Sequence, residues 1–504
     1  MSKLKEVKKK KSYIQYIILF WILVIAASCV YKFFQNDTFY TIKIGKLILN
    51  NGIDMLDHFS IHNLPYTYPH WLYDVFIYLI YYVGGFRGIY ISTIVLFLIL
   101  LIAMYGTTYK ITKNYTATFF SIIICLIAVR YYITARAQLV SYILFILEIY
   151  SIDKLIDTNK KRYTIYLLII SLVLCNIHVA VWPFYFILFM PYVAEAIISL
   201  ILKKVKFKGK VLRAILNKVE VSNDIKLKPL LIVMFLSLFT GLLTPIKDTP
   251  YTYLIKTMQG NSQKYINEHR ALPLKNNLFT IIIVIETLFW GLYSRIKARD
   301  LFLLLGLCLM GLMSIRHLGL LAVLGSICLA KTVALFLNDC SINLDEKLGN
   351  FFRKKIVIVV CFIIVGFLSY KFFKDNLEAP YVVEEMYPVE MTKYIKKNMD
   401  YKNMRMFNEY DFGSYLLLND IPVFIDSRAD LYTKQFNKLD YDIFDDYMNW
   451  LKDYENKFKF YNLNYALVVN GSKLDYTLNK NDNYKIIESD DHFVLYERLS
   501  DDNE

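Results

Sequence analysis

Cysteine is scarce in this chain, with seven in 504 residues. Six of them (Cys29, Cys125, Cys175, Cys308, Cys328 and Cys361) lie inside apolar runs, Cys340 sits in a charged loop, and none follows Cys361. No CxxC pair occurs, so neither a disulfide framework nor a cysteine-based zinc site holds the C-terminal part together; its core must do so. A signal-peptide cleavage site is also missing. The basic start (Lys3, Lys5, Lys8 to Lys11) leads into an apolar run over 13–34 that is too long for a signal peptide and is followed by no small-residue site. That run is expected to be an uncleaved first helix with a cytoplasmic N-terminus. No internal repeat is evident, which counts against transporters built from paired repeats. The net charge of +14 is not gathered into one basic patch but spread over short loops between apolar runs. This argues against nucleic acid as a partner and for loops held on the cytoplasmic side of a membrane.

What is present in excess is apolar sequence: 56% of the residues are hydrophobic. Eleven runs, near 13–34, 88–106, 115–129, 139–152, 164–177, 179–202, 230–246, 278–294, 301–315, 318–337 and 356–373, approach the roughly 20 residues that cross a bilayer. The expected fold class is therefore a polytopic α-helical membrane protein. A twelfth apolar stretch, 70–83, decides the side of every later loop. If it does not cross, the loops at 107–114, 153–163, 203–228, 295–300 and 338–355, each carrying several Lys or Arg, all face the cytoplasm. The stretch is accordingly read as lying along the outer interface, or re-entering, and ending at Gly84-Gly85; its Tyr and Trp content suits that position.

This threading sends loop 35–87, the turns near 130–138, 176–178 and 316–317, and loop 247–277 outward. It gathers Asp37, Asp57, His58, Asp74, Arg130, Arg136, His178, Glu268, His269, Arg316 and His317 at one face, where ionisable groups at membrane depth point to a pathway or a site. Glu148, Glu195 and Glu286 fall inside expected spans and mark either a transport path or pairs within the bundle. The chain divides into a transmembrane part, 1–374, and an extracytoplasmic α/β domain, 375–504. Strands are expected at 405–408, 422–426, 465–469, 484–487 and 493–497, with helices at 388–398, 412–418 and 440–458. In that domain Phe424-Ile-Asp426-Ser-Arg428-Ala-Asp430 is chemically loaded: Asp426, Arg428 and Asp430 either bind a sugar, phosphate or metal, or Arg428 pairs with Asp426 or Asp430.

The strings Asp37-Thr-Phe-Tyr-Thr-Ile-Lys-Ile-Gly45, Asp57-His-Phe-Ser60, Trp71-Leu72 and Gly84-Gly85, followed in order by Arg136-Ala-Gln138, Asn176-Ile-His178, Thr244-Pro245 and Ile266-Asn-Glu268, resemble a group of bacterial multi-pass proteins related to the type-C (GT-C fold) glycosyltransferases. The resemblance implies a catalytic acid in the first outer loop beside interfacial helices, a polyprenyl-phosphate-linked sugar donor, and work at the outer face of a cell membrane. Asp37 best matches the first-loop acid, although the paired-acid form is absent, Asp37 standing between Asn36 and Thr38.

Sugar transfer from a lipid phosphate needs a base for the acceptor hydroxyl and cations for the leaving phosphate. Asp37 or Asp57 is the candidate base. Arg130, Arg136 and Arg316 are candidate phosphate ligands, with His58, His178, Glu268, His269, Asp426 and Arg428 as further substrate contacts. Each has a plainer reading. Asp37 would cap a helix starting near Thr38; Asp57, with Ser60, would shape a turn; Arg130 and Arg136 would snorkel to headgroups; His178 would be a satisfied hairpin histidine. The cofactor is left open: His58, His62 and His70 share a loop with Asp57, but their spacing fits no established helix-borne motif for a divalent metal. Rival functions are a transporter or flippase of a lipid-linked or anionic envelope precursor, and a non-catalytic role in envelope assembly.

Overall fold

The computed structural model describes residues 2–204, 219–222, 225–260, 262–273 and 296–499; the expected run at 278–294, with Glu286, lies outside them. Every other apolar run is helical. Among the described residues, Trp71–Thr112, Tyr115–Tyr132, Val179–Lys204, Ile315–Asp339 and Lys355–Glu378 are long and apolar enough to cross a membrane, and Tyr13–Ser28 and Leu227–Leu242 are shorter apolar helices. Gln138–Thr158, Lys161–Ile177 and Ala298–Met313 complete the bundle.

The helix over Trp71–Thr112 has 42 residues, about 63 Å at 1.5 Å per residue, twice the roughly 30 Å of a hydrocarbon core. It is broken at Gly85, whose φ of 56° belongs to the left-handed region that glycine tolerates. The sequence expects the interfacial stretch to end there. A second helix not spelled out in the sequence, Asn36–Asn51, fills most of the first half of loop 35–87. It lies across the first turns of the Trp71–Thr112 helix so closely that a Cβ on Gly45 would stand 2.1 Å from the Asp74 carbonyl oxygen. Only glycine permits that crossing.

The two ends of the bundle carry separate sets of charges. Asp37, Arg136, His178, Glu268, His269 and Arg316 share one end. At the other, Arg299 lies 3.5 Å from both Asp153 and Glu195, and Lys331 is 2.5 Å from Asp300 and 3.4 Å from Asp153. Asp153 sits fifteen residues along the helix that begins at Gln138, or about 22 Å. Glu195 thus pairs inside the bundle, as one reading of the sequence holds, while Glu148 is fully buried in it.

The C-terminal part forms a four-stranded sheet. Met406–Asn408 is an edge strand parallel to Tyr465–Val469; Phe493–Arg498 follows antiparallel (Leu467 opposite Leu495), and Tyr484–Ser489 closes the other edge with a bulge between Ile486 and Glu488. Two expectations differ in detail. The segment 422–426 is not a strand of this sheet: it makes one parallel bridge to Ser60 of the first loop. Its Val423, Phe424 and Ile425 are nonetheless fully buried and form part of the core. The helix expected over 440–458 is cut into Ile443–Met448, a 3₁₀ turn at Trp450–Lys452, and Tyr454–Phe460, because buried Trp450 turns the chain inward against Phe407 at a ring separation of 4.5 Å.

Candidate functional site

Two acid–arginine–acid groups each take one acid from the loop over 35–87, and they differ in what surrounds them. The first is sealed. Arg428 donates to Asp57 at 2.7 Å and to Asp426 at 2.6 and 2.9 Å, with its guanidinium over the rings of Tyr66 (5.0 Å) and Phe59 (5.6 Å). Asp57 also accepts from the Ser60 amide at 2.9 Å, and Asp426 from the Tyr432 hydroxyl at 2.6 Å. Burial alone would raise the Asp57 pKa, but Arg428 and the Ser60 bonds outweigh it and hold it below the usual range. Beside this group, His62 bonds the Phe424 carbonyl at 2.9 Å, and burial lowers its pKa to about 4. These contacts bolt the loop to the C-terminal domain.

The second group is open. Asp37 lies in the first turn of the Asn36–Asn51 helix, where a carboxylate complements the helix dipole. Arg136 stands in the turn ahead of Gln138, its Nη2 2.7 Å from Asp37 and its Nη1 3.1 Å from Glu268. Burial opposes the charge on Arg136, but Asp37 and then Glu268 outweigh it and raise its pKa; in return Arg136, with Arg316, lowers that of Glu268. Glu268 and His269 are held by backbone bonds from Leu272 to Leu312 (3.1 Å) and from Ile315 to Arg270 (3.0 Å), which zip this loop to the turn bearing Arg316. Arg316 reaches His269 at 3.4 Å. Among the described residues no carboxylate lies within ion-pair distance of Arg316, which leaves a guanidinium ready for an anion.

This open group lines a cavity of about 1130 Å³ between the helix ends and the C-terminal domain. Of the residues singled out in the sequence, Asp37, His70, Arg136, His178, Glu268, His269, Arg316, Asp430 and one side of Arg428 border it. Asp57 and Asp426 lie behind that wall, spent on Arg428. His58 pairs with Asp54 at 2.5 Å away from the cavity, and Arg130 stacks on Tyr131. His178 is buried with Nδ1 on Ser141 at 2.9 Å. Sequence reasoning did not anticipate the aromatic share of the wall, among it Tyr40, Tyr253, Tyr387 and Tyr410. Tyr40 and Thr41 were within reach: they lie three and four residues beyond Asp37 on one helix face. Tyr253 depends on a tertiary contact, its hydroxyl donating to Asp430 of the C-terminal domain at 2.7 Å. Among the described residues no group of three or more His, Cys, Asp or Glu side chains is placed to hold a metal.

No family model matches the chain, and neither does any curated protein sequence. Solved structures do match in shape. The apo oligosaccharyltransferase of Archaeoglobus fulgidus superposes with a TM-score of 0.59 at 10% identity, over 91% of this chain and 70% of that one. ArnT from Cupriavidus metallidurans, solved bound to undecaprenyl phosphate, superposes with a TM-score of 0.55 at 9% identity, over 97% of this chain and 98% of that one. This chain has the fold of the GT-C membrane glycosyltransferases.

Proposed function

We propose that the protein is an integral-membrane glycosyltransferase that takes a sugar from a polyprenyl-phosphate-linked donor at the outer face of the membrane. The observation that carries this reading is the open cavity where the Asp37–Arg136 pair faces the same space as Arg316, which among the described residues has no carboxylate within ion-pair distance. Transfer forms a bond from the acceptor oxygen to the anomeric carbon and breaks that carbon's bond to phosphate, whose oxygen leaves with the electron pair. Arg316 and Arg136 suit the growing phosphate charge. Asp37 suits the positive charge that develops on the sugar. Asp57, the other sequence candidate, is buried and fully engaged by Arg428, and the reading leaves it no part in the chemistry. The cavity-bearing end would face outward, the Asp153–Arg299 end inward, in keeping with the basic loops.

The test is transfer from a panel of radiolabelled polyprenyl-phosphate sugars in proteoliposomes, wild type against Asp37→Asn. Label transferred by the wild type and reduced roughly hundredfold in the folded variant supports the reading. No transfer from any donor would favour the carriage of an anionic envelope precursor or a non-catalytic envelope role.

A further inference from the structure

Behind the Asp37 helix lies a second ionisable pair. Asp74, in the first turn of the Trp71–Thr112 helix, has a fully buried side chain, and its Oδ1 is 3.5 Å from His70 Nδ1. Thr41 of the Asn36–Asn51 helix stands beside the carboxylate, and Arg428 is the other positive neighbour, at longer range. His70 is different in one respect: it borders the cavity, with 18% of its side chain exposed. The Tyr40 ring stacks on its imidazole with 6.0 Å between centroids, and the His178 ring meets its edge at 5.9 Å. Val179 N–H fixes the preceding Pro69 carbonyl at 2.9 Å, so the ring is held from three elements.

A carboxylate cut off from water is costly unless a cation stands by it, and the imidazole is the adjacent group able to become one. Burial raises the Asp74 pKa, with His70 the first of the neighbours that oppose it, so an ionised Asp74 and an imidazolium at His70 would stabilise one another. Asp74 also turns Nδ1 towards itself, which leaves Nε2 for the cavity. The groups facing the pair from the packed elements are Tyr40, Tyr66, Tyr73, His178, Arg428 and, through His178, Arg316 and Arg136. None of these is a second carboxylate in competition with Asp74. Asp37, by contrast, is already committed to Arg136.

Resting on the glycosyltransferase reading above, we infer that His70 is a further catalytic residue and Asp74 its positioning partner. As the acceptor oxygen bonds to the anomeric carbon and the phosphate oxygen departs with its electron pair, the hydroxyl proton passes to His70 Nε2. Asp74 steadies the imidazolium so formed until the proton is returned to solvent through the cavity.

The test has two arms. In the first, diethylpyrocarbonate modification of His70 in the full-length protein in lipid nanodiscs is followed by mass spectrometry across pH, for wild type and Asp74→Asn. Modification needs the neutral ring, so its midpoint reports protonation. The expected result is a lower midpoint in Asp74→Asn than in the wild type; a shared midpoint, or a His70 that never reacts, overturns the pair. In the second, transfer of the radiolabelled sugar is measured from pH 5 to 9. His70→Gln should lower kcat roughly hundredfold with KM little changed, and abolish the acid limb of the profile. Asp74→Asn should move that limb in step with the modification midpoint, which a merely structural role would not do. Full activity of His70→Gln overturns the catalytic role. A wild type without transfer overturns the glycosyltransferase reading, and with it His70's role in catalysis, while the modification arm still decides whether Asp74 and His70 share a proton.

Discussion

Asp57–Arg428–Asp426 and Asp37–Arg136–Glu268 use the same kinds of side chain, drawn in each case partly from the loop over 35–87, yet they differ in their surroundings. In the first, side-chain exposure is 3% for Arg428 and zero for Asp57 and Asp426. In the second it runs from 23% for Asp37 to 49% for Glu268. A sealed group satisfies its own charges and joins two domains. An open one, with Arg316 beside it, presents its charged groups to a cavity that a substrate can enter. Burial, not residue type, separates a clamp from a site.

The sharpest way to break this comparison is to remove the central arginine of the clamp. Arg428→Ala leaves two buried carboxylates without their cation and should destabilise the protein by about 3–5 kcal/mol, seen as a large drop in Tm. Arg136→Ala should cost far less stability, about 1 kcal/mol or less for a partly exposed pair, while abolishing transfer. Next in size, Arg316→Ala should raise KM for the lipid-linked donor by about tenfold or more, the worth of one hydrogen bond to a charged group. It should leave Tm almost unchanged.

Two further outcomes concern the scaffold. Gly45→Ala forces a Cβ against the Asp74 carbonyl at 2.1 Å, and overpacking of this kind costs about 1–3 kcal/mol; thermal unfolding of the variant measures it. Acid should loosen the clamp in two steps. His62 has its folded pKa lowered to about 4 from the ordinary 6.5, so the unfolded chain binds more protons between those values and stability falls as pH drops through that window. The Asp57 pKa is also lowered on folding, so its share is present above the ordinary carboxylate range and is lost as pH falls further. Proteolysis of the loop–domain junction against pH reads both. The basic limit of stability should be unaffected by either residue.

Much of the architecture was legible because lipid leaves the backbone few choices. Apolar runs of span length must be helical, and the alternation of basic loops puts Arg136, His178 and Arg316 at one end without any knowledge of packing. The helix at Asn36–Asn51 was harder to see, being amphipathic, short and set in a polar loop, although the capping alternative for Asp37 touched its first turn. The pairing of Arg428 with Asp426 was one of two readings of the sequence, but the role of Asp57 was not legible at all. Asp57 meets Arg428 across 371 positions of sequence, and no local pattern announces such a pairing. Nor does spacing reveal that 422–426 pairs with Ser60 and not with the neighbouring strands. Local periodicity sees elements, whereas the site is made by elements meeting.

The most direct test of the central claim is a paired measurement on Asp37→Asn and Asp57→Asn, with sugar transfer and Tm recorded for both. The account predicts opposite outcomes. Asp37→Asn should lose transfer roughly hundredfold and keep its Tm, whereas Asp57→Asn should lose Tm and, at a temperature where it remains folded, keep its transfer. A folded Asp57→Asn protein without activity, beside a fully active Asp37→Asn protein, would contradict it.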